Sequence, residues 1–159
     1  MNIIVKASVF STLILLFAGC IKGSNTVCTN KSAQSEAAAM EAYAAAQGYS
    51  VSSHPSGLYY QVVNPGSGAI PMATSKVFIK YTGRLVSSNA IFDQQTDHTK
   101  TGWAMEGLIP GLQIGLPQIA EGGTIRLIVP SELAYGCRGV GSIPGDAPIF
   151  FEIELVDVQ

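Results

Sequence analysis

Charged residues are scarce in this chain of 159 residues, because they make up 13% of it where soluble domains carry about 25%. Nine basic and eleven acidic residues give a net charge of −2, and no basic run is present. This composition argues against a protein that binds nucleic acid by neutralising phosphates. With two histidines and three cysteines, the chain also has little material for a metal site, so we expect no metal and no nucleic-acid partner.

Proline is missing from the first third of the chain, since all eight prolines lie at or after Pro55. Thirteen of the first 19 residues are hydrophobic and Lys6 is their only charge, which predicts a signal peptide over residues 1–19. The stretch Leu16–Cys20 resembles a bacterial lipobox, in which the chain is cut before the cysteine and the thiol carries lipid. We therefore predict that Cys20 is lipidated; an ordinary cleaved signal and an uncleaved anchor are the alternatives.

Export implies an oxidising compartment, in which disulfides persist. If Cys20 carries lipid, Cys28 and Cys137 are left as an even remainder, which predicts a disulfide from the N-terminal arm to a distant loop. Two independent thiols are the alternative. Residues 20–31 are otherwise polar and are predicted to form a lipidated tether.

An alanine-rich helix with a linker is predicted over residues 32–55. The stretch Ser32–Gln47 contains eight alanines and a narrow apolar stripe at helical spacing, and Gly48 is a natural stop. Ser32 or Ser35 is expected to cap the start. This helix either packs on the following domain or pairs two copies of the chain as a homodimer.

From Ser56 onward, short apolar runs are separated by glycine and proline, and period-two alternation predicts strands with one buried face. One segment breaks this period, because Pro110 suits a first helical turn and Pro117 should limit the helix. We expect an α+β fold in residues 56–159, with one short helix among mostly antiparallel strands. The predicted strands are Leu58–Val63, Val77–Val86, Thr124–Val129 and Ile149–Leu155.

A series of motifs follows in order across nearly all of residues 56–159. They are Val77-Phe78-Ile79-Lys80-Tyr81-Thr82-Gly83, Ile91-Phe92-Asp93, Leu108-Ile109-Pro110-Gly111, Gly122-Gly123, Ile128-Val129-Pro130, Leu133-Ala134-Tyr135-Gly136, Ile143-Pro144 and Phe151-Glu152-Ile153-Glu154-Leu155. Together they resemble the FKBP-type peptidyl-prolyl isomerases. The resemblance implies a curved antiparallel β-sheet wrapped over one short α-helix. With the lipobox, it implies a lipoprotein of the bacterial cell envelope, exported, anchored to a membrane and facing the periplasm or the cell surface.

The family's activity is cis/trans isomerisation of the bond before proline, so the implied partners are proline-containing polypeptides, here exported proteins that are folding. Resonance gives this bond a barrier of about 18–20 kcal/mol. The twisted transition state loses that resonance and its charge separation, so an apolar pocket binds it better than the planar amide. Neither a cofactor nor a metal is required.

The motifs carry the family's site residues over to this chain. The catalytic positions implied are Tyr81, Phe92, Asp93, Tyr135 and Ile109, the last through its backbone N–H. The substrate-binding positions implied are Leu108, Leu112, Ile143, Phe151 and Trp103.

Two positions differ from the family pattern. Leu112 stands where most members have the tryptophan of the pocket floor, and Thr101 lies near a position that is usually aromatic. These differences favour an alternative function, in which the domain is a chaperone or binding module with weak or no isomerase activity. A purely structural envelope lipoprotein is a further alternative.

Overall fold

Antiparallel strands form the centre of the fold in the computed structural model, which describes residues 27–97 and 102–159. Within this part of the chain the strands pair in the order β1-β2-β6-β7-β3-β4, and β5 pairs with β3. The strands are β1 (Ser52–Ser53), β2 (Tyr59–Asn64), β3 (Lys76–Leu85), β4 (Ile91–Gln95), β5 (Trp103–Ala104), β6 (Thr124–Val129) and β7 (Ile149–Val158).

In the described ranges two α-helices accompany the sheet, α1 (Ala33–Gln47) and α2 (Pro110–Gly115). The predicted α+β architecture is therefore confirmed, including the N-terminal helix and the short helix between strands. As expected, α2 does not extend through Pro117. The helix ends at Gly115, and Pro117 lies in the 3₁₀ turn that follows at Leu116–Gln118. Further 3₁₀ turns lie at Met105–Gly107, Ser131–Leu133 and Gly136–Arg138.

The larger core lies between α2 and one face of the sheet. It is formed by the alternating residues that the sequence predicts to point inward. Tyr81 and Leu85 are only partly buried and pack against it. The fully buried side chains of this core include Leu58, Ile79, Leu116, Ile119, Ile125, Leu127, Ile149, Ile153 and Leu155.

A second, smaller core lies on the opposite face of the sheet, where α1 packs. Met40 and Tyr43 of α1 contact Ile128 and Phe150, whose side chains point away from those of their neighbours in the strand. The prediction of strands with a single buried face is therefore wrong at Ile128 and Phe150. Each such side chain, when fully buried, stabilises the fold by about 1.5–3 kcal/mol.

The ends of α1 agree only in part with the sequence prediction. Gly48 ends the helix with φ of 69°, and the N–H groups of Gly48 and Tyr49 donate to the last free carbonyls. Neither serine caps the start through its side chain, because the Ser35 hydroxyl donates to the Ser32 carbonyl instead. A carboxylate from another element caps the helix, as described below.

The N-terminal residues just before α1 are attached to the loop that follows β6. Cys28 forms a disulfide with Cys137, and their Cα atoms are 5.7 Å apart. The side-chain oxygen of Asn30 accepts a hydrogen bond of 2.9 Å from the N–H of Cys137. The last residues of the predicted tether are thus part of the folded unit, whereas Cys20 lies outside the described residues.

Candidate active site

A cavity of about 320 Å³ opens between the sheet, α2 and the loop that follows β6. Most of the side chains that line it are aliphatic or aromatic, and one carboxylate lies at its edge. The residues that line it are Ile79, Tyr81, Asp93, Trp103, Gly107, Leu108, Ile109, Leu112, Tyr135 and Phe151.

Aromatic rings placed edge to face form one wall of the cavity. The ring of Tyr81 lies 6.1 Å from that of Trp103 and 5.8 Å from that of Phe151, at angles near 70°. Phe92 continues the series, 5.6 Å from Phe151. Such pairs are stabilising beyond the area that they bury. The wall is therefore a packed unit that keeps its shape without a ligand.

Gly83 makes room for this wall. A Cβ atom at this position would lie 2.6 Å from Cζ of Phe92 and 2.9 Å from Cε1 of Phe151. Both distances are far inside van der Waals contact, so the two rings meet only because β3 has no side chain there.

A hydrogen bond between Tyr81 and Asp93 marks the polar edge of the cavity. The Tyr81 hydroxyl donates to Oδ2 of Asp93 over 2.6 Å, and the N–H of Gln94 donates to Oδ1 over 2.8 Å. Tyr81 pairs with Gln95 across β3 and β4, which puts Asp93 diagonally opposite on the same face. The carboxylate is thus held in place through both of its oxygens.

Burial raises the pKa of the Tyr81 phenol, and the hydrogen bond and the negative charge of Asp93 raise it further. Burial also raises the pKa of Tyr135, with a smaller contribution from the charge of Asp93. Both tyrosines therefore enter the site as neutral hydroxyl groups at physiological pH. A neutral phenol donates a hydrogen bond, which a phenolate does not.

The start of α2 presents a backbone donor to the cavity. Ile109 is the N-cap of α2, and Pro110 follows it in the first turn. The structure records no hydrogen bond from the Ile109 N–H to any residue in the described ranges, whereas its carbonyl accepts from Leu112 and Gln113. One turn later, Leu112 is buried and lines the cavity. The site therefore combines an apolar lining with an N–H group that is free to bind a carbonyl.

Tyr135 lies between two 3₁₀ turns in the loop after β6, and it is half-buried. It lines the main cavity and also a neighbouring depression of about 210 Å³. No hydrogen bond from its hydroxyl to a described residue is recorded, so this group is available to a ligand.

Eight of the ten residues predicted for the site line the cavity, and two do not. Phe92 and Ile143 line the neighbouring depression instead, together with Asp93 and Tyr135. Phe92 is the extra residue of a bulge, because Asp93 pairs with Gly83 and Ile91 with Arg84. A bulge redirects a side chain, which is consistent with the position of Phe92 beside the main cavity rather than in its lining.

Two lining residues, Ile79 and Gly107, are absent from the sequence prediction. Ile79 lies two residues before Tyr81 on the same face of β3, so the alternation contained the signal. Gly107 offered none beyond its position before Leu108. Thr101 lies outside the described residues.

Membrane-spanning and metal-binding features were sought in the described part of the chain. No helix in residues 27–97 or 102–159 is long and apolar enough to cross a membrane. In the same ranges, no three histidine, cysteine, aspartate or glutamate side chains come together as a metal-binding group.

Comparison with known proteins gives consistent matches. The sequence profile described as FKBP-type peptidyl-prolyl cis-trans isomerase matches residues 68–156. The chain is 38% identical over 119 residues to the isomerase FkpA of Escherichia coli K12, a match that covers 75% of this chain and 43% of that protein. It is 39% identical over 110 residues to the FKBP-type 22 kDa isomerase of the same organism, covering 68% and 53% of the two chains.

Solved structures give the same result. The crystal structure of E. coli FkpA matches with a TM-score of 0.69 and 35% identity, over 80% of this chain and 61% of that one. An isomerase from Pseudomonas syringae pv. tomato matches with a TM-score of 0.66 and 30% identity, over 82% and 98%. The chain thus spans less than half the length of the full FkpA sequence that it resembles.

Proposed function

The chain belongs to the FKBP-type peptidyl-prolyl cis-trans isomerases, and from this premise we propose that it accelerates the isomerisation of X–Pro bonds in polypeptides. The observation that carries the proposal is the apolar, aromatic-walled cavity with a free N–H at one side and a fixed carboxylate at its edge. A proline ring fits such a lining, and the peptide on either side of it needs hydrogen-bond partners.

In this mechanism the cavity favours the twisted amide. Twisting the C–N bond removes its resonance, so the carbonyl oxygen and the nitrogen carry less opposite charge than in the planar amide. A polar solvent stabilises the planar form more, whereas the rings of Tyr81, Trp103 and Phe151 do not. The apolar lining therefore binds the transition state more tightly than the ground state, which is the condition for catalysis.

Hydrogen bonds then hold the substrate while its bond rotates. The N–H of Ile109 binds a substrate carbonyl next to the proline, and the hydroxyl of Tyr135 binds the chain on the other side of the cavity. In this scheme Asp93, held by Tyr81 at the edge of the cavity, faces the rotating amide. No covalent bond forms or breaks in this scheme, so no nucleophile is needed.

A proline-peptide assay tests the proposal. We expect wild-type protein to accelerate cis-to-trans conversion and Tyr81→Phe to lower kcat/KM by about threefold to tenfold, the effect of one lost hydrogen bond. Asp93→Ala should lower it more, because the Tyr81 hydroxyl then has no partner. Tyr60→Phe is the matched control, since Tyr60 packs on the core away from the cavity. A wild-type rate equal to the spontaneous rate would refute the enzymatic function.

The second candidate function is a binding module that holds proline-containing chains without turning them over quickly. Leu112 favours it, because an aliphatic side chain covers less of a proline ring than the family's usual tryptophan. Leu112→Trp distinguishes the two: a higher rate in this variant identifies the floor of the cavity as the limit on activity. Tight peptide binding with no catalysis in either protein would support the binding module.

We also propose that the protein is exported to the bacterial cell envelope and is held on a membrane through a lipid on Cys20. The apolar stretch and lipobox-like sequence of residues 1–20 support this, as does the Cys28–Cys137 disulfide, which is typical of oxidising compartments. Cys20→Ser should release the protein from membranes into the soluble fraction. Unchanged membrane retention of this variant would contradict lipidation.

Pairing of two chains through α1 is likewise a prediction. The stripe of Met40, Tyr43 and Ala44 is taken up within the chain, so a dimer would have to use the outer face of α1. A single mass equal to the monomer in sedimentation at high protein concentration would contradict it.

A further inference from the structure

A buried carboxylate joins α1 to the loop that carries Tyr135. Glu36 is only 5% exposed. Its Oε2 accepts a hydrogen bond of 2.7 Å from the N–H of Ser131, and its Oε1 accepts one of 2.8 Å from the Ser131 hydroxyl. Burying a charge is costly unless it is well hydrogen-bonded, so this contact fixes the two segments precisely.

The contact is reciprocal. Oε1 of Glu132 accepts a hydrogen bond of 2.6 Å from the N–H of Ala33, the first residue of α1. Ser131 begins the 3₁₀ turn after β6. The N-terminal end of this turn thus receives the Glu36 carboxylate from α1, and the N-terminal end of α1 receives the Glu132 carboxylate from the turn. Negative charge is favourable at that end of a helix. Three hydrogen bonds, two to Glu36 and one from the N–H of Ala33, thus hold residues 131 and 132 to α1.

The far side of Tyr135 is held by the same N-terminal arm. Cys137 is joined to Cys28 by the disulfide, and its N–H donates to the side chain of Asn30. Tyr135 therefore lies inside a segment, residues 131–137, that residues 28–36 hold at both ends. We call this segment the tyrosine loop.

Within the tyrosine loop, Tyr135 is held by packing and by few backbone bonds. Its half-buried side chain packs against the larger core, as do those of Leu133 and Ala134, and the residue borders three surface openings. Its carbonyl accepts one hydrogen bond of 3.2 Å from Gly139. The loop consists of short 3₁₀ turns rather than sheet. No sheet ladder holds its backbone, so the contacts at its two ends add to the core packing in setting its conformation.

We propose that Glu36 is a positioning residue for the isomerase site, which holds Tyr135 against the cavity through Ser131. The inference rests on the isomerase function proposed above, and it places part of the site's control in α1, outside the residues that match the family profile. Glu36 does not touch the cavity, so its effect on substrate passes through the tyrosine loop.

The test compares variants of two glutamates on the same helix. Glu36→Ala removes both acceptors, whereas Glu36→Gln keeps a side chain of the same shape that still accepts from the Ser131 N–H. Glu41→Ala is the matched control, because Glu41 accepts a hydrogen bond from Tyr59, away from the cavity. We expect Glu36→Ala to lower kcat/KM about tenfold, as for the loss of one well-placed substrate hydrogen bond, and Glu36→Gln and Glu41→Ala to stay within about twofold of wild type.

A double-mutant cycle separates positioning from general loss of structure. In a Tyr135→Ala background there is no side chain to position, so adding Glu36→Ala should change kcat/KM by less than about twofold. Peptide affinity is read in parallel from the fluorescence of Trp103, which is the single tryptophan of the chain and lines the cavity. If Glu36→Ala does not fold, Ser131→Ala takes its place in the same cycle, since it removes one of the two bonds and leaves the backbone bond.

The outcomes are distinct. Two results overturn the positioning role and leave the isomerase function standing. One is that Glu36→Ala lowers kcat/KM equally with and without the Tyr135 side chain. The other is that Glu36→Ala, or Ser131→Ala in its place, has wild-type activity. Wild-type protein that binds peptide without catalysis refutes the enzyme, and the cycle is then read on peptide affinity. Wild-type protein that neither binds nor isomerises overturns both.

Discussion

Removal of the Cys28–Cys137 disulfide should destabilise the protein chiefly by freeing the unfolded chain. The two cysteines are 109 residues apart. A cross-link that closes a loop of this size lowers the entropy of the unfolded chain by an amount worth about 4.8 kcal/mol near room temperature. Measured losses are typically about 2–4 kcal/mol, because the native state also adjusts.

The assay uses a chain with Cys20→Ser, so that Cys28 and Cys137 are its only cysteines. A thiol count on unreduced protein should find no free thiol, and reduction under denaturing conditions should release two. The free energy of unfolding in urea is then compared with and without the paired substitution of both cysteines by alanine. Reduction of the cysteine-containing protein is an independent check, since it should give the same loss.

The slope of the urea transition tests the physical reason. An unfolded chain without the cross-link is more expanded and exposes more surface, so the dependence of unfolding free energy on urea should become steeper. A lower urea midpoint with an unchanged urea dependence of the unfolding free energy would mean that the disulfide acts on the native state instead. Two free thiols in unreduced protein, or a loss below about 1 kcal/mol, would refute the reasoning.

Three further changes test the packing. Burial raises the pKa of Tyr43 from 10.0 to about 12. Above about pH 10 this tyrosine therefore loses its proton more readily in the unfolded chain than in the folded one, and the free energy of unfolding should fall. Urea unfolding of wild type and Tyr43→Phe at about pH 9 and about pH 11 should show a smaller fall in the variant. Gly83→Ala should push apart the rings of Phe92 and Phe151 and lower the free energy of unfolding by about 1–3 kcal/mol; an unchanged value would show that the wall yields freely. Phe150→Ala should lower the free energy of unfolding in urea by about 3–5 kcal/mol, because Phe150 stacks on Tyr49 and contacts the tilted ring of Tyr43. A loss below about 1 kcal/mol would show that α1 adds little.

Alternation predicts the strands well where one face of the sheet is buried and the other is solvated. The strand Thr124–Val129 has its expected bounds, and the strands near Val77 and Leu58 are shifted by one residue. The C-terminal strand runs three residues further than predicted, to Val158, where the burial contrast between its two faces weakens. Pairing with β3 continues there, because Asp157 pairs with Phe78 and Val158 with Val77.

The second core escaped prediction, although its signal was present. Leu127-Ile128-Val129 and Ile149-Phe150-Phe151 are unbroken apolar runs, which indicate a strand buried on both faces rather than on one. The alternation read in these strands selected every second residue and passed over Ile128 and Phe150. A helix with a narrow apolar stripe, α1, is the element that covers them.

Prediction of the site depended on motif order, and the structure brings the predicted residues together where the backbone is regular. Tyr81 and Phe151 lie on paired strands, so their positions follow from register. Phe92 lies in a bulge, and a bulge shifts a side chain without a mark in the hydrophobic pattern. Contacts between distant segments, such as that of Glu36 with Ser131, have no local signal at all, because the two residues are 95 positions apart.

The scarcity of charge makes the few carboxylates informative. Three of the eleven acidic side chains, those of Asp93, Glu36 and Glu132, make hydrogen bonds in the site or in the contacts that hold the tyrosine loop. The rest of the cavity wall is built on a sheet and a helix and keeps its shape through packing, whereas the tyrosine loop has only short turns. Leu133, Ala134 and Tyr135 pack on the core only through partly buried side chains, and no sheet ladder holds their backbone. Charge-assisted hydrogen bonds and a disulfide are short-range constraints, so their concentration at the two ends of this loop adds to that packing and fixes its backbone where the sheet does not reach.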